Sequence, residues 1–135
     1  MEKVILAIDD DESFLLTIKD ILEQEGYDVK TLSDSLETEI YIEKYKPGLI
    51  IMDIFMPDRS GFNLIESFNE KGIYQDIPKI FITCLDDDIE RMTARACGVA
   101  HYITKPFQAE ELISLVKKTL DTKDKGDERC TKAGK

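Results

Sequence analysis

The chain has 135 residues, 42% hydrophobic and 34% charged, the length of one domain with enough apolar material to bury a core without disulfide or metal staples. Its 28 acidic residues outnumber 18 basic ones, a net charge of −10, which argues against unaided nucleic-acid binding, because a phosphate backbone is gripped by a basic surface. No apolar run approaches the ~20 residues that span a bilayer, and Met1-Glu2-Lys3-Val4 leaves no room for a signal peptide before the first strand. Cys84, Cys97 and Cys130 lack metal-ligand spacing, so a cytoplasmic location is expected.

The first apolar run, Val4-Ile5-Leu6-Ala7-Ile8, ends at Asp9-Asp10. Asp11-Glu12-Ser13 then offers caps for a helix with Phe14, Leu15, Ile18, Ile21 and Leu22 at helical spacing, closed by Gly26 as a left-handed cap. A short strand over 27–32 follows. Ser33-Asp34-Ser35 caps a second helix with an expected apolar side of Leu36, Ile40 and Tyr41, ended by Pro47-Gly48. The run Leu49-Ile50-Ile51-Met52 leads into Asp53 and the loop Ile54-Phe55-Met56-Pro57-Asp58-Arg59-Ser60. Gly61 opens a helix to about Lys71 with Phe62, Leu64, Ile65 and Phe68 as core candidates.

Pro78 starts the fourth strand, Ile80-Phe81-Ile82-Thr83, where a missing N–H donor costs little. Asp86-Asp87-Asp88 heads a helix carrying Ile89, Met92 and Ala96, stopped by Gly98. A fifth strand over 100–104 runs into Lys105-Pro106, and the last helix, from Gln108, buries Leu112, Ile113, Val116 and Leu120. Short, nearly continuous apolar runs are strands buried on both faces of a parallel sheet. Their alternation with helices predicts right-handed crossovers and a three-layer α/β/α sandwich over residues 1–121. Residues 122–135 lack apolar periodicity and are read as a polar flexible tail.

Ligands of open α/β sheets bind beyond the carboxyl ends of the strands, beside the point where strand order reverses. Asp9, Asp10, Asp53, Thr83 and Lys105 all stand at such ends. Magnesium takes hard oxygen ligands, usually one or two carboxylates with waters and phosphate oxygens, and it would relieve repulsion among three crowded acids. An aspartyl carboxylate such as Asp53 can take a phosphoryl group covalently. Thr83 could donate to one phosphoryl oxygen and Lys105 neutralise another.

The segments Ile8-Asp9-Asp10-Asp11-Glu12, Met52-Asp53-Ile54-Phe55-Met56-Pro57-Asp58-Arg59-Ser60-Gly61, Phe81-Ile82-Thr83 and Tyr102-Ile103-Thr104-Lys105-Pro106-Phe107 together resemble the receiver domain of bacterial response regulators, in family order and spacing over roughly residues 3–121. The resemblance implies a doubly wound, flavodoxin-like fold with strand order 2-1-3-4-5. It implies that Asp53 accepts a phosphoryl group from a sensor histidine kinase or phosphotransfer protein, with Mg²⁺ held by Asp10, Asp53 and the Phe55 carbonyl and by Asp9 through water. Thr83 and Lys105 would bind phosphoryl oxygens, and Lys105–Pro106 would be a cis peptide. Thr83 and Tyr102 would form the switch that changes the surface for an output partner. The domain would catalyse only its own phosphorylation and dephosphorylation. Phe55 and Leu85, two places after Asp53 and Thr83, would flank the path of the hydrolytic water.

Plainer roles compete at each position. Asp11, Asp86, Asp87 and Asp88 are read as helix caps, His101 as a solvated strand residue and Cys84 as a packing residue. A lone Thr or Lys at a strand end is usually structural, so Thr83 and Lys105 gain meaning only from the joint pattern. A phosphohydrolase with an aspartyl nucleophile needs a general acid two positions on, where Phe55 cannot transfer a proton. A binding-only pseudo-receiver would be expected to lack Asp53 or Lys105, and a flavodoxin-like nucleotide binder would need a Gly-rich loop after the first strand. Ala100-His101 stands where many dimerising, DNA-binding members carry two acids, which argues against that charge-paired dimer.

Overall fold

Strands β1 (Val4–Ile8), β2 (Asp28–Leu32), β3 (Leu49–Asp53), β4 (Lys79–Thr83) and β5 (His101–Thr104) form one parallel sheet in the order β2-β1-β3-β4-β5. The computed structural model describes residues 4–83 and 99–124. Within these, α1 (Glu12–Glu23), α2 (Thr38–Tyr45), α3 (Gly61–Lys71) and α4 (Ala109–Asp124) cover the sheet. The expected helix after Asp86-Asp87-Asp88, with Ile89, Met92, Ala96 and Gly98, lies outside the described residues, as do Cys84, Leu85, Cys97 and Cys130.

Strand side chains alternate between faces with period two, and here both faces are apolar. Ile5 and Ala7 of β1 enter a core with Leu15, Ile18 and Leu22 of α1 and Leu112 and Val116 of α4. Leu6 and Ile8 enter a second core with Ile42 of α2 and Leu64, Ile65 and Phe68 of α3. β3 is buried at all five positions, which is why its sequence is a run rather than an alternation. Each large side chain buried in this way is worth ~1.5–3 kcal/mol relative to exposure.

Helix ends follow local chemistry. The Asp11 carboxylate accepts the Phe14 N–H at 3.2 Å and caps α1. At the other end the Gly26 N–H donates to the Glu23 carbonyl and the Tyr27 N–H to the Leu22 carbonyl. This paired pattern requires a left-handed residue, and Gly26 has φ +97°. α3 starts with a reciprocal box between Ser60 and Asn63.

Three expectations need correction. Leu36 and Ile40 do not form the buried side of the second helix: they are 56% and 63% exposed. The Asp34 side chain accepts the Leu36 N–H and starts a 3₁₀ turn at Ser35–Glu37 before α2. Its three residues per turn shift the phase of the stripe. Ser35, Thr38 and Ile42 face the sheet instead, with Tyr41 half-buried beside them. α4 also runs to Asp124, three residues past the expected boundary, because adding one more residue to an existing helix costs little even without apolar contacts. His101, expected to be solvated, is half-buried in register with Ile80.

Candidate functional site

Strand register assembles the site as a staircase. Ile8 pairs with Met52, so Asp9, the next residue, lies beside Asp53. Asp53 pairs with Ile82, which puts Thr83 one step beyond. Thr83 pairs with Thr104, and Lys105 follows. The chain leaves β1 for β2 on one side and reaches β3 on the other, so Asp9 and Asp53 flank the point where strand order reverses. α3 packs tightly behind them: the Gly61 N–H donates to the Ile54 carbonyl at 2.7 Å, and a Cβ at Gly61 would lie 2.9 Å from the Asp53 carbonyl oxygen. Only glycine permits that approach.

Oxygens of Asp9, Asp10 and Asp53 lie within 4.8 Å of one another. Asp9 is 2% exposed and Asp53 9%, whereas Asp10 faces solvent. The Asp11 N–H donates to Asp9 Oδ1 at 2.9 Å, and the Phe55 N–H approaches Asp53 Oδ1 at 3.4 Å. Lys105 Nζ donates to Asp9 Oδ2 at 3.1 Å and stands 3.8 Å from Asp53 Oδ2. The Lys105–Pro106 peptide is cis.

One ammonium therefore pairs with the two buried acids, and the third stands at the solvent side. Burial, then the neighbouring Asp9 charge, pushes the Asp53 carboxyl up to about 6 against the opposing pull of Lys105. Burial likewise raises Asp9, opposed by the Asp11 N–H and Lys105. Hard carboxylate oxygens with uncompensated negative charge, one of them open to solvent, suit a divalent cation with retained waters.

A family model of the response regulator receiver domain matches residues 5–117. The chain belongs to the response-regulator receiver family. This receiver is 32% identical over 110 residues to the transcriptional regulatory protein TrcR of Mycobacterium tuberculosis, covering 82% of this chain and 42% of that protein. It is 32% identical over 120 residues to the alkaline phosphatase synthesis transcriptional regulatory protein PhoP of Bacillus subtilis, covering 89% and 49%. Among solved structures, a CheY-like receiver domain protein from Methanospirillum hungatei superimposes with a TM-score of 0.85 at 31% identity, covering 94% of this chain and 100% of that one. The chemotaxis protein CheY4 of Vibrio cholerae gives 0.82 at 25%, covering 88% and 99%. The receiver spans about half the length of the curated relatives it matches. No described helix is long and apolar enough to cross a membrane.

Sequence reasoning missed the seat of the lysine. Phe14, counted only as a core position of α1, lies with its ring centroid 4.1 Å from Lys105 Nζ. Phe107 abuts that ring edge-on at 5.7 Å. The ring face attracts the ammonium, and Phe107, from the loop that also carries Lys105, backs the Phe14 ring. No local signal marks this, because Phe14 and Lys105 belong to opposite ends of the chain. Tyr102, the expected switch residue, is half-buried against the α2/α3 core. Thr83 is placed at the rim by its backbone.

The crowding has a measurable cost in the metal-free receiver. Asp53 holds its proton up to about 6 when folded, against an ordinary value of 3.8. The folded state thus binds the proton more tightly than the unfolded chain. Its contribution to stability is fully present below 3.8 and is lost as pH rises through about 6. Asp53→Asn cannot ionise, so without divalent metal it should melt above wild type at pH 7.5 and be more stable by on the order of 1–3 kcal/mol, with the gap closing toward pH 4. Melting curves across that range check it. A variant less stable than wild type at pH 7.5 would contradict the crowding argument.

Proposed function

We propose that this receiver is a phosphoacceptor switch in which Asp53 takes a phosphoryl group from the phosphohistidine of a sensor kinase or phosphotransfer protein, with Mg²⁺ as the resident cation. The observation that carries the reading is the placement of Lys105 Nζ 3.1 Å from Asp9 and 3.8 Å from Asp53, at the edge of the three-acid cluster. An Asp53 carboxyl at about 6 is mostly ionised near pH 7.5 and remains a nucleophile. Its oxygen attacks phosphorus as the imidazole N–P bond breaks. The electron pair stays on the imidazole nitrogen, which then takes a proton.

Asp10, Asp53 and the Phe55 carbonyl would hold Mg²⁺, with Asp9 acting through water. When bound, the ion neutralises charge on the phosphoryl oxygens. Lys105 neutralises another of those oxygens, and Thr83 donates a hydrogen bond to one. Drawing Thr83 toward the phosphoryl group lets half-buried Tyr102 move inward, which changes the surface offered to an output partner. The domain promotes only its own modification, acts in the cytoplasm, and with its net charge of −10 does not itself grip nucleic acid.

The test is intact mass after incubation with acetyl phosphate. A rise of one phosphoryl unit is expected with Mg²⁺ and none with a chelator present. No rise under either condition removes the phosphoacceptor reading.

A further inference from the structure

The loop after Asp53 is tied sideways to the helix beside it. Arg59 Nη1 and Nη2 donate to Glu39 Oε1 and Oε2 at 2.8 and 2.9 Å, a two-pronged pair joining the β3–α3 loop to α2. The Arg59 N–H also donates to the hydroxyl of buried Ser35 at 3.1 Å. Both charged side chains are about three-quarters covered, at 22% and 27% exposure, and Arg59 holds the Glu39 carboxyl below the usual carboxylate range. A parallel fork of this kind fixes direction as well as distance. An exposed ion pair would contribute little, but this one is shielded and anchors the loop just before α3 begins at Gly61.

Between Asp53 and Arg59 the loop is held by buried Ile54 and Met56, while Phe55, which lies between them, is 47% exposed. At the far end the Gly61 N–H binds the Ile54 carbonyl. Ile54 and Met56 share a buried core with Ile42 of α2, and Arg59 adds the polar tie from the loop to α2 and its leading turn. Four residues back from Arg59, the Phe55 N–H approaches Asp53 Oδ1 at 3.4 Å, so the clamped segment is continuous with the backbone beside the acid cluster.

We propose that Arg59, clamped by Glu39 and Ser35, is a positioning residue for the metal site, acting by holding the Phe55 backbone where its carbonyl can join Asp10 and Asp53 around Mg²⁺. The inference rests on the phosphoacceptor reading above. It adds that the cation affinity of this receiver is set in part from α2, by a pair of side chains that touch neither the metal nor the phosphoryl group. Groups outside the first ligand shell that orient a site typically change metal affinity 10–100-fold when removed.

The experiment titrates Mg²⁺ alone into the receiver by calorimetry for wild type, Arg59→Ala, Glu39→Gln and the double variant, with amide exchange of residues 55–59 followed in the metal-free proteins. Each single substitution is expected to weaken Mg²⁺ on the order of 10-fold and to speed exchange in the loop. The double variant should be little worse than either single one, because both remove the same contact. Glu39→Gln keeps size and one acceptor, so it carries the test should Arg59→Ala fail to fold. Unchanged Mg²⁺ affinity in a folded variant, even with a lower melting temperature, overturns the proposal while leaving the phosphoacceptor reading intact. Wild type without Mg²⁺ affinity overturns both.

Discussion

Asp53→Asn is expected to take up no phosphoryl group from acetyl phosphate in Mg²⁺, while wild type gains one. The amide oxygen is a poor nucleophile, and neither of the other two acids of the cluster has the same neighbours. Asp9 is buried and engaged by Lys105 at 3.1 Å and by the Asp11 N–H at 2.9 Å. Asp10 is exposed at the rim, whereas the ion pairs of Lys105 are with Asp9 and Asp53. The loss should not be one of folding, because the same substitution is expected to raise the melting temperature of the metal-free protein. Intact mass and melting curves on the same sample separate the two effects. Labelling of the Asn variant equal to wild type would refute Asp53 as the acceptor.

The aspartyl phosphate, once formed, should be long-lived. Its hydrolysis needs a water held in line with phosphorus, and polar groups beside the site speed that step by positioning it. In receivers the residues two places after the phosphorylated aspartate and two after the threonine flank the water's path. Here they are Phe55 and Leu85, neither of which can hydrogen-bond a water through its side chain. Phe55 is 47% exposed, so its side chain is not committed to the core and a polar replacement should cost the fold little. Phe55→Asn and Leu85→Glu are each expected to speed loss of phosphate, by ~10-fold or more. Following the phosphorylated mass over time in Mg²⁺ measures it. Unchanged decay in both variants means that the side chains only pack, and the lifetime then has another origin.

The sequence alone determined much about this protein, because much of it is local. A strand buried on both faces must be an uninterrupted apolar run, so the strands around Val4–Ile8 and Leu49–Asp53 and the residues that end them could be read directly. Caps are also local: Asp11, Gly26 and Ser60 act on backbone groups within a turn or two. Strand–helix alternation predicted the layered sandwich, and the family resemblance carried by the motifs at the strand ends supplied the strand order that the sheet shows.

What the tertiary structure decided were relations between distant segments. The 3₁₀ turn at Ser35–Glu37 changed which side of α2 meets the sheet, leaving Leu36 and Ile40 outside; a phase change this small is invisible to a hydrophobic stripe. The bond between Lys105 and Asp9 spans 96 positions and that between Arg59 and Glu39 spans 20, so neither the aromatic seat of the lysine nor the clamp on the loop has a sequence spacing to announce it. Nor does the raised carboxyl of Asp53, which depends first on how much of the folded chain excludes water from it and then on the charge of Asp9. Residue types and strand ends specify which groups can meet at the rim. Their separations and burial, and therefore their charge states, exist only once the sheet brings those ends side by side.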